Sequence, residues 1–271
     1  MSATVSSKIV HFDEIIPRVV DPECEEKDVE RLIPLVFKYT DVASENIPKG
    51  CDFHFFFYNL LTYHAELQGL TVVQGGVRGA LREKETISLL KKNWRVEERR
   101  LSDGFIRSQG MMLRVLMTTI YSIIDIRDPT IQFPIRRFQL EYMIGRERYL
   151  TRPEGAVSVN SPELPIISYT GWFEGQTWRQ FLEETLSVMI GQLVGNIKIQ
   201  DKSSWVHSKG CHSDEIFQLN FTRGYDLCLK EDWLEATRAL ARLFRYLLSG
   251  NAKVGAVQAY SQPGADADKD V

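Results

Sequence analysis

The chain has 271 residues, 44% of them hydrophobic and 25% charged, with a formal net charge of −3 at pH 7. That balance excludes disordered, collagenous and membrane-spanning classes, and the length suffices for one large apolar core or two smaller ones. Four cysteines (Cys24, Cys51, Cys211, Cys228) do not make a disulfide scaffold, and Met1 to Ser7 does not read as a secretory leader, so a soluble protein with reduced thiols is expected in the cytosol or nucleus.

Residues 1–20 read as an N-terminal arm with a short strand at Lys8 to Phe12. Asp21-Pro22-Glu23 then starts a helix: Asp caps free N–H groups, Pro suits the first helical position, and acid favours the positive end of the dipole. This helix should stop or kink near Pro34, which lacks an N–H. Asp52 caps an amphipathic helix in which Phe53, Phe56, Phe57, Leu60, Leu61, His64 and Leu67 keep helical spacing up to Gly69.

A short strand at Leu70 to Val73 and a turn at Gly75-Gly76 precede a weaker helical pattern over 80–100. Ser102 and Asp103 open a long helix to Arg127, apolar around most of its circumference and therefore central. Its most apolar run, Met111 to Ile126, carries Arg114 and is too short for the ~20 residues that span a bilayer, so it reads as a core helix. Pro129 and Pro134 bound a turn before a further helix from Ile135 to Leu150. From Thr151 to Gly175 the composition shifts to Pro, Gly and Ser with alternating residues, predicting a loop with one or two short strands and a boundary between lobes.

Thr177 and Gln180 form a capping box for a helix that stops at Gly195-Asn196. Strands are expected at Ile197 to Gln200 and Phe217 to Phe221. A last helix, Glu231 to Ser249, turns Trp233, Thr237, Leu240, Phe244 and Leu247 inward and ends at Gly250. The organisation expected is mainly α and two-lobed, with a few short strands: an arm (1–20), a helical N-lobe (21–150), a C-lobe (151–250) and a disordered tail (251–271).

Charge is unevenly distributed along this plan. Residues 1–71 hold 6 basic and 12 acidic side chains, residues 72–152 hold 16 and 9, and residues 153–271 hold 11 and 15. The middle third is thus basic within an acidic protein, and most of its cations are arginines, whose planar fork pairs bidentately with phosphate and stacks on bases. The densest part, Arg136, Arg137, Arg146, Arg148 and Arg152, is interleaved with Phe138, Tyr142 and Tyr149. A second cluster, Lys91, Lys92, Arg95, Arg99 and Arg100 around Trp94, could form an opposite wall. On a helix, Arg137, Glu141 and Arg148 share one face and the rings line the next.

A basic groove with stacking rings is what single-stranded nucleic acid needs, with phosphates supplying affinity and base faces supplying stacking. The competing reading is a solvated charged face, with Glu97, Glu98, Glu141 and Glu147 pairing locally and Tyr142 and Phe138 in the core. Taken as two helical lobes, a basic cleft and exchangeable termini, this organisation resembles viral nucleocapsid proteins. The charge and ring pattern leads to the expectation of non-catalytic binding of RNA or single-stranded DNA in a basic groove between the lobes by Arg95, Arg99, Arg100, Arg136, Arg137, Arg146, Arg148, Arg152, Tyr142 and Tyr149, with homo-oligomers formed through the arm. The alternatives are a matrix-like or adaptor protein whose basic strip meets an acidic partner or membrane surface, and a small-molecule enzyme.

Other constellations carry less. His207, Cys211, His212 and Cys228 lack the paired short spacings of zinc sites, and with Asp214 they make no nucleophilic arrangement by adjacency alone. Gly75, Gly76 and Gly79 with Arg78 lack the Lys-Ser/Thr ending of a phosphate loop. No metal or cofactor is expected, and no recurring catalytic motif is present. Glu25-Glu26 and Glu183-Glu184 diverge by about 100° on a helix and read as surface charge.

Overall fold

The computed structural model of the protein describes residues 2–38, 53–58, 60, 84–92, 109–124, 131–135, 138–159, 165–171, 177–200 and 216–252. Six helices and eight strands in three sheets are delimited among these residues, with a further helical turn at 54–58. The protein is therefore mixed α and β, which corrects the expectation of a mainly helical fold. Three segments account for the difference: 2–9 and 84–88 are strands and 140–151 is a hairpin, where an arm and two helices were expected.

Strand β1 (Ser2–Ile9) is the middle of a three-stranded sheet. It runs antiparallel to β2 (Lys84–Ser88) and parallel to β8 (Ile216–Phe221), with Val5 opposite both Glu85 and Phe217. Val5 and Ser7 are buried while Thr4 and Ser6 are not, a period of two concealed by small polar residues. Both edges of β1 are hydrogen-bonded inside the chain, so this stretch is not an arm held out for a neighbouring copy.

Helix α1 (Phe12–Ile15) follows, and α2 (Pro22–Arg31) begins as expected, with the Asp21 carboxylate accepting from the Cys24 N–H at 2.8 Å and Pro22 in the first turn. Helix α2 ends ahead of Pro34, before a single turn, α3 (Leu35–Lys38).

The larger apolar core is built from α4 (Gln109–Ile123), the antiparallel sheet β3 (Ile131–Gln132), β6 (Gly155–Val159) and β7 (Pro165–Tyr169), and α6 (Lys230–Leu248). Its hub is Trp233 of α6, fully buried, with the rings of Phe53, Phe57, Phe56 and Phe37 at 4.9, 5.2, 5.5 and 5.9 Å. The indole N–H donates to the Leu32 carbonyl at 2.9 Å, so the one polar atom of the ring is satisfied where α2 gives out. Thr237, Phe244 and Leu247 are buried on the expected face of α6, which ends at Leu248 with Gly250 at φ +76°.

The second core joins the β2-β1-β8 sheet to a hairpin, β4 (Leu140–Ile144) and β5 (Glu147–Thr151), and to the long helix α5 (Trp178–Gln200). The Thr177–Gln180 box starts α5 as expected, at 3.0 and 3.3 Å. The helix then runs through Gly195-Asn196, correcting the expected stop and the strand at 197–200. Asn196 is buried there and its amide donates both to Gln192 O, one turn back, and to Pro165 O of β7, so a tertiary contact overrides the local stop signal. Both cores draw on residues before and after 151–175, a stretch that carries β6 and β7.

Two carboxylates read as surface charge are not. Glu25 is 4% exposed and Glu184 is 3% exposed. Glu25 accepts both a 2.5 and a 3.1 Å bond from Arg242 of α6 and a 3.1 Å bond from Arg18. Asp13 also pairs with Arg242, Asp28 with Arg245 at 2.7 Å, and Glu26 with Arg238 at 2.8 Å. Arg238, Arg242 and Arg245 recur at helical spacing on one side of α6, and the acidic N-terminal segment folds against that side. The expected helices at 53–69 and 102–127 are described only in part, while the strand and glycine turn at 70–79 and the tail beyond 252 lie outside the described residues.

Candidate nucleic-acid interface

Residues 138–152 carry Arg146, Arg148 and Arg152 of the densest basic stretch, and their fold decides what those side chains can do. Phe138, Leu140 and Tyr142 are buried, while Gln139, Glu141 and Met143 are exposed. This alternation of two, combined with Tyr, Ile and Thr, suits a half-buried strand better than the helix expected. A two-residue turn, Gly145-Arg146, reverses the chain, and Gly145 has φ +61°, a left-handed conformation that costs glycine little.

The inward face of the hairpin lies on α5. Gly191 makes the close approach possible, because a Cβ there would stand 2.9 Å from Leu140 Cβ and 3.0 Å from Thr151 Cγ2. Tyr142 and Tyr149 are directly opposed across the strands, their rings stacked at 5.2 Å with 10° between planes. The Tyr142 hydroxyl meets Ser187 Oγ of α5 at 2.8 Å, and the Tyr149 hydroxyl donates to Glu147 Oε2 at 3.1 Å. Burial pushes both phenols above their ordinary pKa. These two rings are fully enclosed core, 0% and 1% exposed, which corrects the expectation that they stack on bases.

The outward face is charged. Arg148 binds Glu141 through two bonds, Nε to Oε1 and one terminal nitrogen to Oε2, both 2.6 Å. The pairing joined to a shared helical face in the sequence exists, but it crosses a hairpin. On the same face Arg152 donates to the Gln139 amide oxygen at 2.9 Å, while Lys91 Nζ meets Glu147 Oε1 at 3.0 Å on the side of the Tyr149 ring. The hydrogen bonds to Glu141 and Glu147 raise the pKa of Arg148 and Lys91, and that to Lys91 holds Glu147 below the usual carboxylate range. Arg146 stands exposed at the turn.

The second basic cluster meets the first here. The Leu150 N–H donates to the Lys91 carbonyl at 2.8 Å, and Lys92 bridges to Leu150 in parallel, so residues 91–92 run beside β5. Arg95, Arg99, Arg100, Arg136 and Arg137 lie outside the described residues, as do His207, Cys211, His212 and Asp214. Cys228 is exposed ahead of α6, with burial and Asp226 pushing its thiol up, away from a reactive thiolate. Among the described residues, no three His, Cys, Asp or Glu side chains converge as a metal site, and no helix is long and apolar enough to cross a membrane.

Gln139 was not expected as the partner of Arg152, and Glu147, expected to pair locally with the arginines, pairs with Lys91. The signal was present in the alternation from Phe138 to Ile144, which places 139, 141 and 143 on the face opposite the rings. Compared with known proteins, the chain matches no family model, no curated protein and no solved structure.

Proposed function

We propose that this protein is a non-catalytic binder of RNA or single-stranded nucleic acid, holding the strand by its phosphates on the outward face of β4–β5 and residues 91–92. The observation that carries the reading is the seating of residues 91–92 beside β5, which brings Lys92 of a second basic segment next to Leu150 on the face that carries Arg148 and Arg152. The outward face holds Lys92, Arg148 and Arg152 beside Glu141, with Arg146 at the turn, whereas Lys91 and Glu147 pair on the side of the Tyr149 ring. With Tyr142 and Tyr149 enclosed, affinity comes from phosphate contacts, which position a strand without reading its sequence. The nucleocapsid comparison rested on two helical lobes and a free arm. Neither feature remains in the fold, and the reading stands on charge placement. Its expected place of action is the cytosol or nucleus.

The test is fluorescence anisotropy with a labelled oligouridylate of roughly twenty nucleotides, longer than common single-strand site sizes, titrated over a range of salt. Log affinity should fall linearly with log salt, and Arg146→Glu with Arg148→Glu and Arg152→Glu should abolish binding while circular dichroism is unchanged. A second reading follows from the Arg148–Glu141 pair, since this fork already holds a carboxylate: the partner is then an acidic protein segment. Polyglutamate displacing the oligouridylate at equal charge concentration would favour that partner over nucleic acid.

A further inference from the structure

We propose that His11 is a proton-operated tie between the N-terminal strand and α6: neutral, it caps α1, and protonated, it leaves the cap and clamps the joint to α6 through Glu235. Nothing in this device depends on nucleic-acid binding.

His11 stands where the chain leaves the β2-β1-β8 sheet. The Val10 N–H still donates to the Phe221 carbonyl at 2.8 Å, and α1 begins at Phe12. The sheet belongs to the second core and α6 to the larger one, so the ring sits at a joint between the two. It packs on Phe12 with 4.5 Å between ring centroids. Its Nδ1 lies within reach of two groups of Asp13 that make opposite demands. The Asp13 N–H, at 3.3 Å, needs a lone pair on that nitrogen, whereas the Asp13 carboxylate, at 3.0 Å, needs a proton there. Neutral, with its proton on Nε2, the ring accepts from the N–H and completes a capping box with Glu14, whose carboxylate accepts from the His11 N–H at 3.3 Å. Protonated, both ring nitrogens donate: Nδ1 turns to the Asp13 carboxylate, and Nε2 faces Glu235 Oε1 of α6, 3.8 Å away.

Both acids are charged wherever a histidine takes up its proton, between about pH 5 and 8. Glu235 is held below the usual carboxylate range chiefly by its bond from Arg223, and Asp13 chiefly by its bond from Arg242, with Arg18 adding to the effect on Asp13. Arg223, just past β8, binds Glu235 Oε2 and also Asp232, while the Tyr225 hydroxyl donates to Oε1, the oxygen that His11 faces. That oxygen has a lone pair for each of the two donors. The His11 side chain is 52% exposed, so its proton exchanges directly with solvent.

Two measurements on the full chain test this. The first needs no variant: NMR of labelled histidine together with amide hydrogen exchange, at about pH 8 and about pH 5.5. At the higher pH, Nδ1 should carry no proton and the Asp13 amide should be protected. At the lower, both nitrogens should be protonated and that protection, corrected for the intrinsic pH dependence of exchange, should fall severalfold. The second is a double-mutant cycle of His11→Asn and Glu235→Gln, read as urea unfolding at the same two pH values. Asparagine caps a helix without changing charge. The cycle cancels what Glu235→Gln costs through Arg223 and Tyr225, which is common to both residues at position 11. Coupling should be absent at the higher pH and should change the unfolding equilibrium constant by about two- to fivefold at the lower. His11→Gln repeats the cycle if asparagine disturbs the turn. Coupling of equal size at both pH values, or none at either, would overturn the clamp. An Asp13 amide equally protected at both would overturn the exchange of roles on Nδ1.

Discussion

Glu25 of α2 and Arg242 of α6, 217 residues apart, form a buried bidentate ion pair at 2.5 and 3.1 Å. Both side chains are almost inaccessible, at 5% and 2% exposure, and Asp13 closes on the same guanidinium from α1. Burial works against the charged arginine, but Glu25 and Asp13 outweigh it and its pKa is raised. The guanidinium also lies over the Phe12 ring, 4.6 Å from its centroid, so the pair fixes the N-terminal helices against α6.

Removing the Glu25 carboxylate leaves the buried Arg242 guanidinium with only the half-exposed Asp13 as counter-charge. Glu25→Gln should cost about 3–5 kcal/mol, read as a lower urea midpoint with an unchanged slope. Replacing both partners by apolar residues, Glu25→Leu with Arg242→Met, should cost less than the single change. A double variant as unstable as the single one would show that this ion pair, and not merely its filled volume, is what the fold requires.

The hairpin is held against α5 by the absence of a side chain at position 191. Gly191→Ala would press a methyl into Leu140 and Thr151, and overpacking of this kind costs about 1–3 kcal/mol. Gly145→Ala meets nothing within 4 Å, so its cost is only that of a left-handed alanine, about 1–2 kcal/mol. Proteolysis should separate them: cleavage spreading along 138–151 in Gly191→Ala, and confined to the turn in Gly145→Ala. The same pattern in both would contradict the proposed seating on α5.

Among the described residues, four phenols titrate late. Burial raises the pKa of Tyr142, Tyr149 and Tyr169, and burial together with Glu235 raises Tyr225 to about 12. A raised phenol binds its proton more tightly in the folded chain than in the unfolded one. The stability this contributes is intact below the ordinary value of 10.0 and is lost as pH climbs from there through the raised values. Phenolate absorbance should therefore include a late component that appears together with unfolding. Tyr142→Phe and Tyr149→Phe should each diminish that component, and a late component untouched by either change would show that these rings are open to solvent.

Local chemistry was legible wherever a few neighbouring residues settle the backbone. Asp21-Pro22 starts α2, Thr177 and Gln180 start α5, Gly250 ends α6, and the apolar spacing in 231–249 picks out the buried side of α6. These signals act over one or two turns, so the sequence contains them entire. The basic bias of residues 72–152 is likewise a property of the sequence alone.

Tertiary structure decided the rest, because strands are made by partners that sequence distance conceals. β1 is a strand because β2 and β8 satisfy its two edges, and its serines give no local hint of burial. The rings of Phe138, Tyr142 and Tyr149 fit a helical stripe and a pleated hairpin equally well until Gly191 of α5 offers a surface for the pleated one. Carboxylates that look solvent-facing in the sequence become core when arginines reach them from the other end of the chain. Spacing along a chain fixes which side chains could share a face; only long-range packing, by burying one of the possible faces, fixes which of them do.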